Sequence, residues 1–474
     1  MFDVVYAGSY LKRDVETASD YSDYSYFYDT LLGYGAYWTD NLGNPVDPTQ
    51  YIDATDHYKR QTHEIRVSSP SDQPIRFVAG LFYQDQQHDI YQNYQIDGLA
   101  TLLSITGKPG TIWLTSQIRE DVDKAVFGEV SWDITPSLTV TGGLRAFEAE
   151  NSLRGFFGFA AGYSSNGEKA CFKGPITPQA PCTNLIKSTK DDGYTHRLNL
   201  TWKIDDERMV YGTWSTGYRP GGINRRGTLP PYQSDFLTNY EIGWKTTWFD
   251  GSLRWNGAVF LEEWEDFQFS IIGANGLTEI KNAAQAEIFG VESDIVWRLN
   301  DEWTLSGGGA YTDAELTDNY CGVTDAQGNP ITNCPAPPLY PDPPQAPSGT
   351  RLPVTPKFKG NLTLRYDFVL ANMDGFMQGS WVGQSSSWAD LRLKERGLLG
   401  QQDAWQTFDF AVGLKPGDWN LQVYINNAFD ERASLSRSSQ CAEAVCADPT
   451  NAGGAVYVTP NQPRTIGLKV GRKF

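Results

Sequence analysis

The sequence predicts an all-β protein, a transmembrane antiparallel β-barrel of about sixteen strands. Three observations lead to this prediction. Segments that alternate apolar and polar residues recur along almost the whole chain, as expected of strands with one face in lipid and the other in water. Short turns and long insertions alternate between these segments, and all six cysteines lie in the long insertions.

The composition fits a barrel and argues against helical membrane spans. The chain of 474 residues contains 15 Trp and 25 Tyr, and no run approaches the roughly 20 apolar residues that a spanning helix needs. Its mean hydropathy is -0.44. A polar average is compatible with membrane insertion as strands, because only alternate residues of each strand face lipid.

Period-two alternation bounded by turn residues defines the candidate strands. They occupy 2–12, 58–69, 74–91, 116–134, 137–152, 193–205, 207–217, 236–249, 251–271, 285–299, 302–317, 353–369, 373–390, 403–416, 418–428 and 463–474. No break in composition divides them into domains, so we expect one closed sheet.

The connections predict a molecule with two different ends. Short turns follow the even-numbered strands, at 70–73, 135–137, 205–207, 250–251, 300–301, 372–375 and 416–418. Long connections follow the odd-numbered strands, at 13–57, 92–115, 153–192, 218–235, 272–284, 318–352, 391–402 and 429–462. Outer-membrane barrels have such short periplasmic turns and long extracellular loops.

Alternate positions assign the two faces of each strand. The expected lipid face carries Leu253, Trp255, Val259, Leu261, Phe267 and Phe269 in one strand, Val126, Val130, Trp132 and Ile134 in another, and Ile466, Leu468, Val470 and Phe474 in the last. The expected inner face carries charged and polar residues, including Arg145, Glu241, Lys245, Arg254, Glu292 and Asp294. We interpret these charges as wall residues that pair across strands or with an internal domain.

The cysteines form three close pairs, Cys171/Cys182, Cys321/Cys334 and Cys441/Cys446. Disulfides persist in oxidising compartments, so these pairs place the long loops outside the cytosol. Each pair closes a small loop, and we expect loop stapling at the low end of disulfide stabilisation rather than redox chemistry.

The net charge of -18 argues against a nucleic-acid partner, which would require clustered Lys and Arg. Acidic loops keep an exposed rim soluble, or alternatively bind cations. A strand-like segment follows Met1 without the basic and apolar regions of a signal peptide. We therefore expect further sequence upstream and interpret 1–474 as a C-terminal fragment.

Several segments, in order, resemble the barrel of TonB-dependent outer-membrane receptors, the gated importers of Gram-negative bacteria. Residues 211–224, YGTWSTGYRPGGIN, resemble the strand of that family that runs into a GYRPGG-N loop, and 237–245, LTNYEIGWK, resembles the strand that follows. Further matches are WEDFQ at 264–268, NAA at 282–284 with FGVE at 289–292, LPVTP at 352–356, NNAFD at 426–430, HEIRVSS at 63–69 and VAGLFY at 78–83.

The resemblance implies a 22-stranded barrel around a plug. Residues 1–474 then belong to the barrel domain, and the plug and about six N-terminal strands are missing from them. It implies uptake of a scarce ligand. The leading expectation is an iron–siderophore complex, and cobalamin or an oligosaccharide are the alternatives. The implied partners are outer-membrane lipid, the TonB–ExbB–ExbD complex through the missing region, and the barrel assembly machinery through the terminal aromatic Phe474. A passive porin of sixteen strands and a secreted carbohydrate-binding β-protein are the competing hypotheses.

Candidate ligand-binding residues lie in the long loops. Tyr218, Arg219 and Asn224 belong to the GYRPGG-N segment, where Arg219 offers a bidentate donor to an anion, and Tyr28 and Trp38 belong to a loop rich in aromatic residues. The alternative for the first segment is structural, with glycines at positive φ and Pro220 fixing the exit of the strand. The aromatic loop residues equally suit an interfacial girdle.

We expect neither an enzyme nor a cofactor. The sequence has no Walker loop, dinucleotide fingerprint, nucleophile elbow or HExxH motif. The four histidines are scattered without the spacing of metal ligands.

Overall fold

The computed structural model describes residues 2–25, 38–160, 170–273, 278–325, 327–334, 344–439 and 456–473. Within them, one 16-stranded sheet contains antiparallel neighbours in chain order. Its strands are β1 (Asp3–Asp20), β2 (Gln50–Ser68), β3 (Ile75–Ile96), β4 (Thr111–Thr135), β5 (Leu138–Phe159), β6 (Leu185–Lys203), β7 (Arg208–Arg219), β8 (Asp235–Trp248), β9 (Leu253–Glu265), β12 (Gln285–Arg298), β13 (Trp303–Leu316), β14 (Phe358–Leu370), β15 (Met373–Gln384), β18 (Trp405–Lys415), β19 (Trp419–Asn426) and β22 (Thr465–Arg472). Each predicted strand overlaps one of these, so the predicted all-β barrel architecture is confirmed.

The smaller elements lie in the long connections. They are β10 (Gln268–Ile272) paired with β11 (Thr278–Asn282), β16 (Ser387–Trp388) with β17 (Gln401–Gln402), β20 (Ser434–Ser438) with β21 (Tyr457–Pro460), and the helix α1 (Leu393–Leu399). No helix within the described residues combines the length and the apolar character needed to cross a membrane.

The first strands extend well beyond their predicted ends. The β1–β2 ladder pairs every residue from Asp3 with Ser68 to Asp20 with Tyr51. Residues 13–20 are mostly polar, so the apolar alternation stops where the strand leaves the membrane, while the backbone hydrogen bonds continue. Alternation therefore reports the lipid contact of these strands rather than their length.

One predicted strand, 251–271, is wrong in its second half. Strand β9 ends at Glu265, and Asp266 adopts a φ of 52°, which turns the chain into the β10–β11 hairpin. Phe267, predicted to face lipid, is 4% exposed, and both it and Phe269 pack against the cluster that contains Leu316 and Tyr320. A turn at one residue with positive φ cannot be recognised from period-two alternation.

The two faces of the sheet follow the predicted alternation. Val126, Val130, Trp132 and Ile134 are between 44% and 54% exposed on the outward face. Leu468 and Val470 of β22 are likewise exposed, and Phe474 lies outside the described residues. Polar and charged residues occupy the opposite, inner face, which gives the barrel an apolar band toward lipid and a wet interior.

Glycines of the sheet are paired directly with aromatic residues of the next strand, whose rings cover them. These pairs are Gly80–Phe127, Gly193–Phe147, Gly243–Tyr211, Gly257–Trp244, Gly290–Phe260, Gly375–Phe368, Gly413–Phe376 and Gly467–Tyr424. Each ring fills the space that a missing side chain leaves, and this pairing fixes the register of the two strands.

The pair Gly80–Phe127, in which an added Cβ would also meet a backbone carbonyl, yields a stability prediction. A Cβ at Gly80 would lie 2.7 Å from the carbonyl oxygen of Ile65 and 2.5 Å from Phe127 Cζ. We expect Gly80→Ala to destabilise the barrel by about 1–3 kcal/mol, the usual cost of overpacking. The control is Gly128→Ala in the neighbouring strand, where the nearest atom to a new Cβ is 3.6 Å away. The measurement is the temperature at which the folded barrel loses its compact band in gel electrophoresis, and equal temperatures for the two variants would contradict the prediction.

Candidate functional site

The connection between β7 and β8, residues 220–234, lies on the inner face of the barrel wall, and we call it the inner loop. The β6–β7 ladder ends at Arg197 and Ser215, whereas the β5–β6 ladder continues to Gly155 and Leu185. The upper part of β7 therefore separates from β6. This separation lets the inner loop fold back over β3, β4, β5 and β6.

Hydrogen bonds and apolar packing fix the inner loop to this wall. The backbone N–H of Ile223 donates to Oδ1 of Asn151 over 2.8 Å. The Ile223 side chain is buried in a cluster with Leu153 and Leu185. A short segment held in this way presents its other side chains in defined positions.

The two glycines of the motif are needed for close approach. A Cβ at Gly221 would lie 2.6 Å from the carbonyl oxygen of Tyr232 and 2.9 Å from Oδ2 of Asp191, and one at Gly222 would overlap the Tyr232 ring. Neither glycine has a positive φ. The expectation of a left-handed backbone here was therefore wrong, and steric contact with Tyr232 explains the residue choice instead.

Tyr218 and Arg219 make internal contacts at the entrance to the inner loop. The Tyr218 ring stacks on Phe147 with 3.5 Å between ring centroids. Arg219 donates from Nε to Oδ2 of Asp235 over 3.1 Å and from Nη2 to the carbonyl oxygen of Gln268 over 2.8 Å. The Asp235 side chain is 3% exposed, so this ion pair is desolvated on the acidic side.

The remaining predicted ligand residues lie apart from that pair. Asn224 Nδ2 donates to the carbonyl oxygen of Ile280, and the Ile280 N–H donates back to Asn224 Oδ1, each over 2.9 Å. Trp38 is 5% exposed in an apolar cluster with Ile96 and Trp113. Tyr28 lies outside the described residues. The structure thus places Tyr218 and Arg219 at the end of β7, Asn224 in the inner loop that follows, and Trp38 in a separate cluster.

A second group of side chains faces the interior beside the inner loop. Tyr58, His88 and Arg119 are consecutive cross-strand partners on β2, β3 and β4. The His88 ring stacks on Tyr58 with 3.9 Å between centroids, and its Nε2 lies 2.7 Å from Oδ1 of Asp56. Tyr58, His88 and Arg119, together with Arg225 of the inner loop, form what we call the mouth cluster.

The mouth cluster contains two guanidinium groups, and the carboxylate of Asp121 lies 3.4 Å from Nε of Arg119. Arg225 donates from Nη1 to Gln92 Oε1 over 2.9 Å, and Arg119 donates from Nη2 to the Tyr232 hydroxyl over 3.0 Å. Burial lowers the pKa of Arg225, and the nearby charge of Arg119 lowers it further, while Tyr94 and Asp56 oppose both effects. Two cations held together beside tyrosine and histidine rings suit an anionic ligand with an aromatic part.

Sequence reasoning did not identify the mouth cluster. Arg225 directly follows the GYRPGG-N motif, and its position there was an available signal. His88 and Arg119 gave none, because only the strand register shows that they are neighbours.

Buried ion pairs attach the inner loop to the next extracellular hairpin. Arg226 pairs with Glu279 of β11, and Lys281 Nζ lies 3.8 Å from the same carboxylate. Glu279 is buried, and burial lowers the pKa of Lys281 against the opposing effect of Glu279. The inner loop and the hairpin are therefore expected to move as one unit.

Disulfides staple two other long connections. Cys171 is bonded to Cys182 with 5.9 Å between Cα atoms, and Cys321 is bonded to Cys334 with 5.2 Å. Cys441 and Cys446 lie outside the described residues.

The inner wall further from the mouth carries a polar concavity of about 570 Å³ lined by Lys245, Glu292, Asp294 and Lys359. Some wall residues pair across strands. Asn256 Nδ2 donates to Asp294 Oδ2 over 3.1 Å, and Arg145 Nη2 lies 3.6 Å from Asp123 Oδ1. The described part of the chain contains no group of three or more His, Cys, Asp or Glu side chains arranged to hold a metal ion.

Residues 4–428 match the family model described as TonB dependent receptor-like, beta-barrel. The pesticin receptor of Yersinia enterocolitica is 22% identical over 393 residues, which cover 80% of this chain and 48% of the receptor. The probable TonB-dependent siderophore receptor PiuA of Acinetobacter baumannii is 24% identical over 282 residues, covering 52% of this chain and 34% of PiuA. The chain thus spans at most about half the length of these curated relatives.

Solved structures show the same fold. The ferric yersiniabactin uptake receptor FyuA from Yersinia pestis superimposes with a TM-score of 0.65 at 17% identity, covering 89% of this chain and 55% of FyuA. The siderophore receptor PiuA from Acinetobacter baumannii also gives 0.65, at 16% identity, covering 99% of this chain and 61% of PiuA.

Proposed function

This chain belongs to the TonB-dependent receptor β-barrel family and is an outer-membrane protein, and from that premise we propose that it serves TonB-dependent uptake of an iron–siderophore complex. The observation that carries the proposal is the mouth cluster, in which Arg119 and Arg225 converge on the interior beside Tyr58 and His88. Ferric siderophores combine negative charge with aromatic or other planar groups, which suits guanidinium and aromatic contacts.

Similar proteins support the same ligand class. PiuA is a probable TonB-dependent siderophore receptor, and FyuA is a ferric yersiniabactin uptake receptor. Cobalamin and oligosaccharides remain the alternatives, and neither requires two paired guanidinium groups for its recognition.

We place residues 1–474 as the C-terminal part of a larger barrel domain, completed by further strands and a plug. Within the described residues, β1 and β22 each pair with one neighbour only. Unpaired strand edges in hydrocarbon leave backbone N–H and C=O groups unsatisfied, so an open sheet needs additional strands to close it. Polar residues of the concavity on the inner wall offer partners to a plug.

The transport mechanism then requires partners beyond this chain. The ligand binds at the mouth cluster, above a closed plug. TonB with ExbB and ExbD then supplies the differential binding energy that favours the open state of the plug. Phe474 is proposed as the signal to the barrel assembly machinery, and it lies outside the described residues.

Growth of a deletion strain on single iron sources, with the full-length gene restored, tests the proposed ligand class. We expect growth on one ferric siderophore to depend on the restored gene. Growth that is independent of the gene on every iron complex would overturn the siderophore assignment.

The observed count of sixteen strands favours one competing function, a passive porin closed by pairing β1 with β22. Cysteines introduced at Ser9 and Lys469 would place thiols on these two strands. Cross-linking in the native membrane supports a closed sixteen-stranded porin, whereas its absence supports the larger barrel.

A further inference from the structure

The outward surface of β6, β7, β8 and β9 contains an apolar groove of about 480 Å³. Its lining includes Leu198, Leu200, Gly212, Trp214, Ile242 and Phe289. The flanking side chains are exposed within the lipid-facing band, with Ile242 at 68% and Trp214 at 45%.

The groove exists because Gly212 lacks a side chain. Its cross-strand partners on the same face are Leu200 of β6 and Ile242 of β8. A Cβ added at Gly212 would meet only the carbonyl oxygen of Glu241, at 3.9 Å. Gly212 therefore forms the floor of a groove bounded by apolar side chains. Tight packing does not require a glycine at this position.

The surface around the groove faces the membrane, so the occupant must come from the membrane. A lipid chain lying in a groove is contacted by protein atoms on several sides, whereas a chain against a smooth wall is contacted on one side. The groove is thus expected to retain an acyl chain longer than the rest of the apolar band does.

A cationic group lies below the groove on the same face of β7. Val210 separates Gly212 from Arg208, which is four residues nearer the short-turn end, roughly 13 Å along a strand. The Arg208 guanidinium lies 5.1 Å from the centre of the Trp248 ring, and its Nε donates to Asp205 Oδ2 over 2.7 Å. Within the described residues, Nη1 of Arg208 has no hydrogen-bond partner.

From this arrangement we propose a binding site for one phospholipid of the periplasmic leaflet. The phosphate accepts from Nη1 of Arg208, and one acyl chain extends past Val210 into the groove at Gly212. Arg208 lies beside the short turn at 204–207, the periplasmic end of the barrel, and this position selects the periplasmic leaflet. The Asp205 carboxylate weakens the attraction for phosphate, so the acyl chain supplies most of the affinity.

Native mass spectrometry of the full-length receptor, extracted from outer membranes in mild detergent, tests this site. We expect one retained phospholipid in the unaltered protein. Gly212→Leu fills the groove and lowers the retained fraction at least about fivefold, and Arg208→Gln lowers it about twofold, since it removes the weaker contact. Gly128→Leu is the control, because Gly128 faces outward on β4 and a new Cβ there meets nothing within 3.5 Å.

The compact band of the folded barrel in gel electrophoresis confirms that each variant has folded. Retention by Gly212→Leu at the level of the unaltered protein would overturn the proposal. So would an equal loss in Gly128→Leu, or the finding that the retained lipid is a lipopolysaccharide of the outer leaflet.

Discussion

Replacing Arg225 by Gln is expected to weaken binding of the ferric ligand to the full-length receptor roughly 30-fold or more. Removing one partner of a desolvated, charge-assisted contact costs about 2 kcal/mol or more, and this cost appears directly in the dissociation constant. The substitution removes the contact of Nη1 with Gln92, but the backbone oxygen of residue 225 still accepts from Gln117 and the Ile223 N–H still donates to Asn151, so the inner loop keeps its course. The measurement is quenching of tryptophan fluorescence on titration with the iron complex that supports growth.

Arg197→Gln is the matched control for this experiment. Arg197 lies on the inner face of β6, and its Nη1 is 3.8 Å from the Glu129 carboxylate, which makes it an exposed wall arginine outside the mouth cluster. We expect its affinity to stay within about twofold of the unaltered receptor. Equal affinities of the Arg225→Gln variant and the unaltered receptor would show that the mouth cluster is not part of the binding site.

Replacing Arg219 by Leu is expected to release the inner loop. The substitution leaves the Asp235 carboxylate buried without its cation, and because the Arg219 side chain is 49% exposed the cost lies below the about 3–5 kcal/mol of a fully buried pair. The backbone N–H of Gln268 still donates to Asp235, so the barrel keeps its fold while the loop loses one of its anchors. Trypsin should then cleave the full-length receptor after Arg225 and Arg226, and binding should be lost at the same time.

The double variant Arg219→Leu with Asp235→Leu separates charge burial from packing. Replacing both partners of a buried pair by apolar residues is often close to neutral, but Asp235→Leu also removes the acceptor of the Gln268 N–H, so we expect the double variant to regain part of its resistance to trypsin. Mass spectrometry of the digest gives the cleavage sites. Resistance in the Arg219→Leu single variant, or full cleavage in the double variant, would show that the ion pair does not fix the loop.

The barrel strands were predictable because membrane insertion imposes period-two alternation on every one of them. Prediction from this alternation failed wherever the chain left the membrane. Residues 13–20 of β1 continue the ladder without an apolar face, and Asp266 ends β9 by a local backbone turn. Helix α1 was also missed, since a seven-residue helix inside a polar loop has too little periodicity to be recognised.

The candidate site was predictable only in part. The GYRPGG-N segment was identified, but its ligand residues Tyr218, Arg219 and Asn224 make internal contacts with Phe147, Asp235 and Ile280 in the structure. Their role in binding remains a prediction. His88 and Arg119 lie 31 positions apart in sequence and meet only through the β3–β4 register. Long-range pairing of this kind has no local signal in a single chain.

Accumulation of radioactive iron by cells that carry the full-length receptor tests the central claim most directly. We predict that uptake of the growth-supporting ferric siderophore requires both the receptor and TonB, and that it is lost when Arg119 and Arg225 are both replaced by Gln. Uptake that persists at the same rate without TonB would contradict the proposed energy-coupled import.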